Sequence, residues 1–344
     1  MKSLKIALIG FGGIARAHYS GYRTLAQKNA PVSLVAALDC NPAQFERYLK
    51  INIEKEPVKL DPAVHTYTDI DALLASEDFD VADICLPSYL HKEYAVKLLR
   101  AGKHVLCEKP MALSYAECCE MIAAAKESGK RLMIAQCLRF DPAYLFLKKA
   151  IDEGTYGKIL RLEMNRLCAH PAWGYENWFA DTEKSGGCIL DMHIHDVDMA
   201  RFLFGEPQAV SAVAYDGVSR WAIENTRMIY SDLTVVINGS WAETRGTPFV
   251  GNFYAVFEKA ALYTKQGKLF LHPEDAREAL EVSLDGLDMY SAEIEYFANM
   301  VLDDLPNKVN PPESAAASVK VIEALRESAA LGGERLAYAT HDSV

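Results

Sequence analysis

The chain has 344 residues, half of them hydrophobic, with a formal net charge of −11 at pH 7. That length predicts two domains, or one very large one, around a real core. The acidic surplus speaks against nucleic acid or an anionic membrane as a partner, and the eight cysteines, with no C-x-x-C pair, read as buried free thiols in a reducing cytoplasm rather than a disulfide framework.

The first stretch to punctuate the chain is K-I-A-L-I-G-F-G-G-I-A, from Lys5 to Ala15. Three glycines interrupt the apolar run and Arg16 sits in the A-R-A that follows, so a secretory signal is not expected. Lys5 to Ile9 predicts a buried strand, and Ile14 opens a helical pattern. Strand, glycine turn and helix are the opening of a nucleotide-binding βαβ unit. Gly10 makes the tight turn, and Gly12 lets a pyrophosphate lie against bare backbone. Ala15 stands where a third glycine allows close helix–strand packing. The cofactor contacts expected here are Gly10, Phe11, Gly12, Gly13, Ile14 and Ala15, at a helix N-terminus that favours anions. The next strand, Val32 to Leu38, ends in Asp39, an acidic residue placed to hold a ribose 2′-hydroxyl. Its carboxylate would repel a 2′-phosphate, so NAD is expected over NADP.

Pro42 to Ile51 predicts a helix capped by Asn41, and Tyr67 to Leu74 a short capped helix. Asp80 to Leu86 reads as a strand stopping at Pro87-Ser88, followed by a helix over Leu90 to Arg100 with Gly102 at its end. His104 to Cys107 is a short strand. Ser114 to Gly129 is a helix with a Ser114/Glu117 capping box, and Arg131 to Cys137 is the last strand of this half. The alternation predicts an α/β fold with an N-terminal, doubly wound parallel sheet. The pattern changes near Asp141-Pro142, which divides the chain into residues 1–140 and 141–344. After a helix over Ala143 to Glu153, strands dominate: Lys158 to Leu167, Ala209 to Tyr215, Thr226 to Trp241 and Asn252 to Tyr263, with turns at Asp216-Gly217, Ser231-Asp232 and Gln266-Gly267. They predict a large, mostly antiparallel sheet in a C-terminal α+β domain. One helix interrupts them, Gly187 to Phe204, and two more, Ser291 to Leu302 and Pro312 to Leu331, end the chain. No stretch is long enough to span a membrane, and a soluble cytoplasmic protein is expected.

Three places carry chemistry. Glu108-Lys109-Pro110 follows a strand at the carboxyl edge of the parallel sheet, where ligands bind. A lysine there can favour negative charge on a substrate oxygen, and Pro110, after a cis or extended bond, directs it. The plain alternative is a solvated turn lysine. Pro87 to His91 lies at the same edge and would cover the cofactor, although His91 by itself suits a structural role as well. The third place is G-G-C-I-L-D-M-H-I-H-D-V-D, Gly186 to Asp198. On a strand, His193 and His195 would chelate a metal. The apolar spacing of Leu190, Ile194 and Val197 predicts a helix instead, with Asp191, His195 and Asp198 on an adjacent side and His193 nearly opposite. A carboxylate one turn before an imidazole orients it for proton transfer near neutral pH; the alternative is a polar helix face of internal salt bridges. No metal is expected.

Together G-F-G-G-I-A, C-L-P-S-Y-L-H, E-K-P and G-G-x4-D-x3-H resemble, in order, the motifs of the family of glucose-fructose oxidoreductase, inositol dehydrogenase and their relatives. The resemblance implies a dinucleotide-binding Rossmann domain and a second domain for substrate binding and oligomerisation. The second domain's sheet is then a subunit interface in a homodimer or homotetramer, and the C-terminal helix packs back on the first domain. It implies that Lys109 stands near nicotinamide and substrate, with Glu108 beside it, and that Asp191 and His195 form a proton relay. The activity implied is NAD(P)-dependent hydride transfer to or from a secondary alcohol of a sugar, inositol or related polyol. His193, where the family often has glycine, and Gln136 to Phe140 depart from the pattern on the substrate side. A non-catalytic dinucleotide-binding sensor and a metal hydrolase using His193 and His195 are the competing readings.

Overall fold

The computed structural model describes residues 3–46 and 59–338. The chain divides into two units: Met1–Cys137 with Ala172–Trp178 and Leu287–Ala317, and Leu138–Pro171 with Phe179–Gly286 and Ser318–Val344. No helix among the described residues is long and apolar enough to cross a membrane. All eight cysteines are unbridged.

The first unit is built on β1 (Leu4–Ile9), α1 (Gly13–Gln27), β2 (Val32–Leu38), β3 (His65–Tyr67), α2 (Ile70–Ser76), β4 (Val81–Ile84), α3 (His91–Arg100), β5 (His104–Glu108), α4 (Tyr115–Ser128) and β6 (Leu132–Ala135). Its six strands run parallel in the order β3-β2-β1-β4-β5-β6. The expected doubly wound sheet is therefore present. Ala7, Leu8 and Ile9 are fully buried, as strands covered on both faces require. Register sets the edge that matters. Ile9 pairs with Leu38 on one side and with Ile84 on the other, and Ile84 pairs with Cys107. Gly10, Asp39, Cys85 and Glu108 therefore come level at the carboxyl ends, where chain order reverses on either side of β1.

Side-chain caps set the helix starts. Asp69 accepts from the Ala72 amide at 2.9 Å, and Ser114 from the Glu117 amide at 3.3 Å. The Glu117 carboxylate reaches back to the Leu113 amide, one residue before the cap. Of the helix expected over Pro42 to Ile51, the described part holds a 3-10 turn, Pro42–Gln44, capped by Asn41; residues 47–51 lie outside the described residues.

The second unit contains α5 (Pro142–Asp152), β7 (Ile159–Leu167), α6 (Thr182–Ser185), α7 (Cys188–Asp191), α8 (Ile194–Phe204), β8 (Ala209–Tyr215), β9 (Ile223–Ile229), β10 (Thr234–Ser240), β11 (Val250–Phe257), β12 (Ala260–Lys265), β13 (Lys268–Pro273) and β14 (Leu280–Val282). Helix α9 (Met289–Leu302) belongs to the first unit and packs on α1. The boundary between units falls inside α10 (Pro312–Ala330), and β15 (Leu336–Ala337) closes the chain. Nine strands form one sheet, β14-β13-β12-β11-β7-β10-β9-β8-β15. It is antiparallel except where β10 runs parallel to β7. Alternation sorts its faces. Glu224, Thr226 and Met228 of β9 are buried with Val235 and Ile237 of β10. On the opposite face a ladder of amides runs Asn225–Asn238–Asn165–Asn252 at 2.8–3.0 Å, and Tyr254, Tyr263 and Phe270 stack in series.

Candidate functional site

In the first unit, Gly10 has φ +90°, and a Cβ there would stand 2.7 Å from the Cys85 carbonyl oxygen, so only glycine fits. Gly12 differs: a Cβ on it would meet nothing within 4 Å. Its bare backbone caps α1, whose first turn holds no acidic residue. Open space, a side-chain-free approach and a helix N-terminus suit the phosphates of a dinucleotide. Gly13 begins the helix, Ile14 is half-buried, and Ala15 is fully buried in a cluster with Leu8, Phe11 and Tyr19. The Phe11 ring lies inside that cluster, 5.6 Å from Phe45 and under the Arg16 guanidinium, so only its backbone lies at the turn. Asp39 ties the turn to β2: one oxygen accepts the Phe11 amide at 2.8 Å and the other the Asn41 amide at 2.9 Å. Each carboxylate oxygen has a second lone pair for a ribose hydroxyl.

Two residues expected at the cofactor face elsewhere. His91 is buried, with Nδ1 2.7 Å from the Pro110 carbonyl oxygen and Nε2 2.8 Å from that of Leu86. Burial lowers its pKa below the usual histidine value despite those two acceptors. Glu108 is also buried. One of its oxygens lies 2.9 Å from Nε2 of His18 and the other accepts the Lys109 amide at 3.0 Å. The His91 ring is taken up by backbone carbonyls, and the Glu108 carboxylate by His18 and the Lys109 amide. Pro87 and Lys109 are half-buried, and the Lys109–Pro110 bond is cis.

In the second unit, Gly186 and Gly187 both have positive φ, near +75°, and lead into α7. The single helix expected over Gly187 to Phe204 is broken. The Met192 and His193 amides both donate to the Cys188 carbonyl, and the His195 amide donates to Met192 rather than to Asp191. Asp191 therefore ends one helix and His195 is the second residue of the next, so the i, i+4 face drawn through them is interrupted. Asp191 is buried and His195 is half-buried. Burial, with Asp191 nearby, pushes the Cys168 thiol up to about 11.

His193 sits in the break. Its Nε2 lies 2.9 Å from Thr226 Oγ1, and burial with Arg166 nearby takes its pKa down to about 3, so the ring is neutral. The groups of three or more metal-ligand side chains among the described residues surround His18, not His193 or His195. Sequence reasoning missed what fixes α8. Arg166 grips Asp196 with two hydrogen bonds at 2.7 and 3.0 Å, and Arg139 grips Asp198 at 2.7 and 2.8 Å, with Ser318 donating to the same carboxylate. Asp198, expected beside His195, is thus committed to Arg139. Two acids flanking Val197 in a mostly apolar helix, both buried, are the signal that could have pointed to buried arginine partners.

Comparison with known proteins adds to this geometry. Residues 4–136 match a family model described as an oxidoreductase family with NAD-binding Rossmann fold, and residues 144–255 match a GFO/IDH/MocA C-terminal domain. A 2,7-anhydro-N-acetylneuraminate hydratase of Escherichia coli is 37% identical over 153 residues, 42% of this chain and 39% of the relative. The inositol 2-dehydrogenase of Rhizobium meliloti is 33% identical over 214 residues, 62% of this chain and 58% of the relative. The matched part of the chain thus spans about half the length of these curated relatives. Among solved structures, a levoglucosan dehydrogenase in complex with NADH and levoglucosan superposes with TM-score 0.81 at 20% identity, covering 98% of this chain and 99% of that one, which shows a shared fold.

Proposed function

Because this chain belongs to the GFO/IDH/MocA family of NAD-binding oxidoreductases, we propose that it is a nicotinamide-dependent dehydrogenase acting on a secondary alcohol of a sugar, inositol or related polyol. The observation that carries the proposal is the carboxyl edge of the parallel sheet. Gly12 offers open backbone there, Asp39 is pinned beside it, and Lys109 follows β5 at the same edge. The cofactor held by the glycine turn supplies the hydride acceptor or donor when bound.

The protein's own groups do the rest. His195 takes the hydroxyl proton, Asp191 orients its ring, and Lys109 stabilises the alkoxide-like oxygen. Asp39 favours NAD over NADP, since its carboxylate is held where a 2′-phosphate would be repelled. The names of the relatives, an inositol and a levoglucosan dehydrogenase, support a polyol or sugar substrate and favour catalysis over a sensor role. A second reading, net hydration of a sugar derivative at the same site, is favoured by the 37% identity to a hydratase. The amide ladder and the stacked tyrosines on the open sheet face support a homodimer or homotetramer formed through that face. The unbridged cysteines suit the cytoplasm.

Incubation with NAD and a polyol and sugar panel tests the proposal. Stoichiometric NADH formation supports a dehydrogenase, water addition without NADH a hydratase, and neither reaction a sensor.

A further inference from the structure

We propose that His18 and His91 are positioning residues for Lys109, clamping the Glu108-Lys109-Pro110 turn from its two ends. The proposal concerns how the turn is held, and rests on the reading of Lys109 above for its effect on turnover.

One end of the clamp is ionic. His18 projects from α1 and is fully buried. Its Nδ1 lies 2.8 Å from Asp83 and its Nε2 2.9 Å from Glu108. Carboxylates only accept, so two such contacts are satisfied together by an imidazolium donating from both nitrogens. Burial alone would lower the His18 pKa; Asp83, with the groups around it, holds it well above the usual value. Those surroundings come from every packed element. Tyr22 of α1 donates to Asp83 at 2.8 Å, and the Cys85 thiol lies 3.8 Å from the same carboxylate. From α9, Glu293 comes within 3.8 Å of His18 and the Tyr290 ring within 6.0 Å. Burial raises the Glu293 pKa well above its ordinary value, with His18 opposing. The imidazolium claims one oxygen of Glu108 and thereby turns the other toward the Lys109 amide.

The other end is His91, whose Nδ1 and Nε2 lie 2.7 and 2.8 Å from the Pro110 and Leu86 carbonyl oxygens; a neutral ring has one N–H, and the clamp uses the tautomer in which Nδ1 donates to Pro110. The amide entering Lys109 and the carbonyl leaving Pro110 are thus both held by buried side chains, and the root of the lysine is fixed between them. Stability alone does not account for the cluster. A buried ion pair is often no more stabilising than apolar residues of the same volume. Orientation is what packing alone would not supply, and displacing a reacting group by about 1 Å can lower turnover about a hundredfold.

Full-length Glu108→Ala, Glu108→Gln, His91→Leu and His91→Asn test the clamp. The readouts are hydrogen exchange of the peptide containing Lys109, NADH affinity by fluorescence, kcat and KM for the best polyol, and metal content. Glu108→Ala and His91→Leu should speed exchange locally, by about tenfold. They should lower kcat by about tenfold or more with KM and NADH affinity little changed. Glu108→Gln keeps one acceptor, for the Lys109 amide or for His18 but not both, and should recover only part of both; His91→Asn should recover much of both. Exchange unchanged at Lys109, or raised equally across the first unit, would overturn the clamp. So would a stoichiometric cation bound by His18, Glu108 and Glu293. If Glu108→Ala does not fold, Glu108→Gln carries the comparison at the His18 end and the two His91 variants at the other. Exchange does not depend on turnover, so an inactive wild type would count against the functional reading and leave the clamp decided on its own.

Discussion

The Phe11 amide donates to the Asp39 carboxylate across 2.8 Å, so the acidic residue that ends β2 also fixes the glycine turn that follows β1. This contact separates two roles of Asp39 that one substitution can tell apart. Asp39→Asn keeps an oxygen for the Phe11 or Asn41 amide and removes the charge. It should fold, lose NAD preference, and raise kcat/KM with NADP relative to NAD by about tenfold, a difference of about 1.4 kcal/mol. Steady-state rates with both cofactors check this. An unchanged ratio would remove Asp39 from cofactor selection.

Gly10 and Gly12 should fail in different ways. Gly10→Ala places a methyl against the Cys85 carbonyl at positive φ and should lower stability by about 2 kcal/mol or more, read from urea midpoints. Gly12 has φ −81° and open space, so Gly12→Ala should unfold within about 1 kcal/mol of wild type. Its new methyl would stand in the open space proposed for the cofactor's phosphates, and NADH affinity should fall about tenfold or more. Equal NADH affinity in a folded Gly12→Ala protein would show that the turn is not the phosphate site.

Local chemistry explains which elements were legible. The stretch β1–turn–α1–β2 is read from a short apolar run, three glycines and an acidic terminus, all within 40 residues. The caps at Asp69, Ser114 and Asp141 mark helix starts in the same local way. Strand β3 has only three residues, two of them exposed, and leaves no pattern to find. The break at Met192-His193 is hidden because Leu190, Ile194 and Val197 keep helical spacing across it. The contact made there, from His193 to Thr226, comes from a strand 33 residues later. The parallel pairing of β7 with β10 is equally remote, since β8 and β9 and all of α6 to α8 lie between them in the chain. Glu108 and His91 stand at the expected edge of the sheet, but both side chains turn inward. Position along a strand does not say where a side chain turns, and the partner that turns Glu108 inward, His18, is 90 residues away.

Glu224 predicts a pH signature in stability. Burial raises its pKa to about 8, with the Cys188 contact and Arg326 opposing. The folded state therefore holds a proton that the unfolded state releases near pH 4.5, the ordinary value. Between those limits the unfolded state binds fewer protons, so stability falls as pH rises, by up to about 1.4 kcal/mol per unit. Glu224→Gln should remove this slope. Its urea midpoint should exceed that of the wild type at pH 8 and approach it at pH 5. Parallel pH dependences for the two proteins would contradict a neutral, buried Glu224.

The proton relay is tested by substitution at its two members. Asp191→Asn should lower kcat with little change in NADH affinity, because the amide still packs but no longer favours an imidazolium. Lys109→Met should lower kcat and raise the pH at which the alcohol is oxidised, since the alkoxide-like oxygen loses its cation. Wild-type pH–rate profiles in either variant would exclude that residue from the chemistry.

The most direct measurement is NAD reduction followed at the nicotinamide absorbance with a library of polyols and sugars, run in parallel for wild type and His195→Ala. The account predicts NADH formation by the wild type with at least one secondary alcohol, and a loss of about a hundredfold or more in His195→Ala with NADH still bound. Wild-type turnover in His195→Ala, or no hydride transfer to NAD from any member of the library, would contradict it.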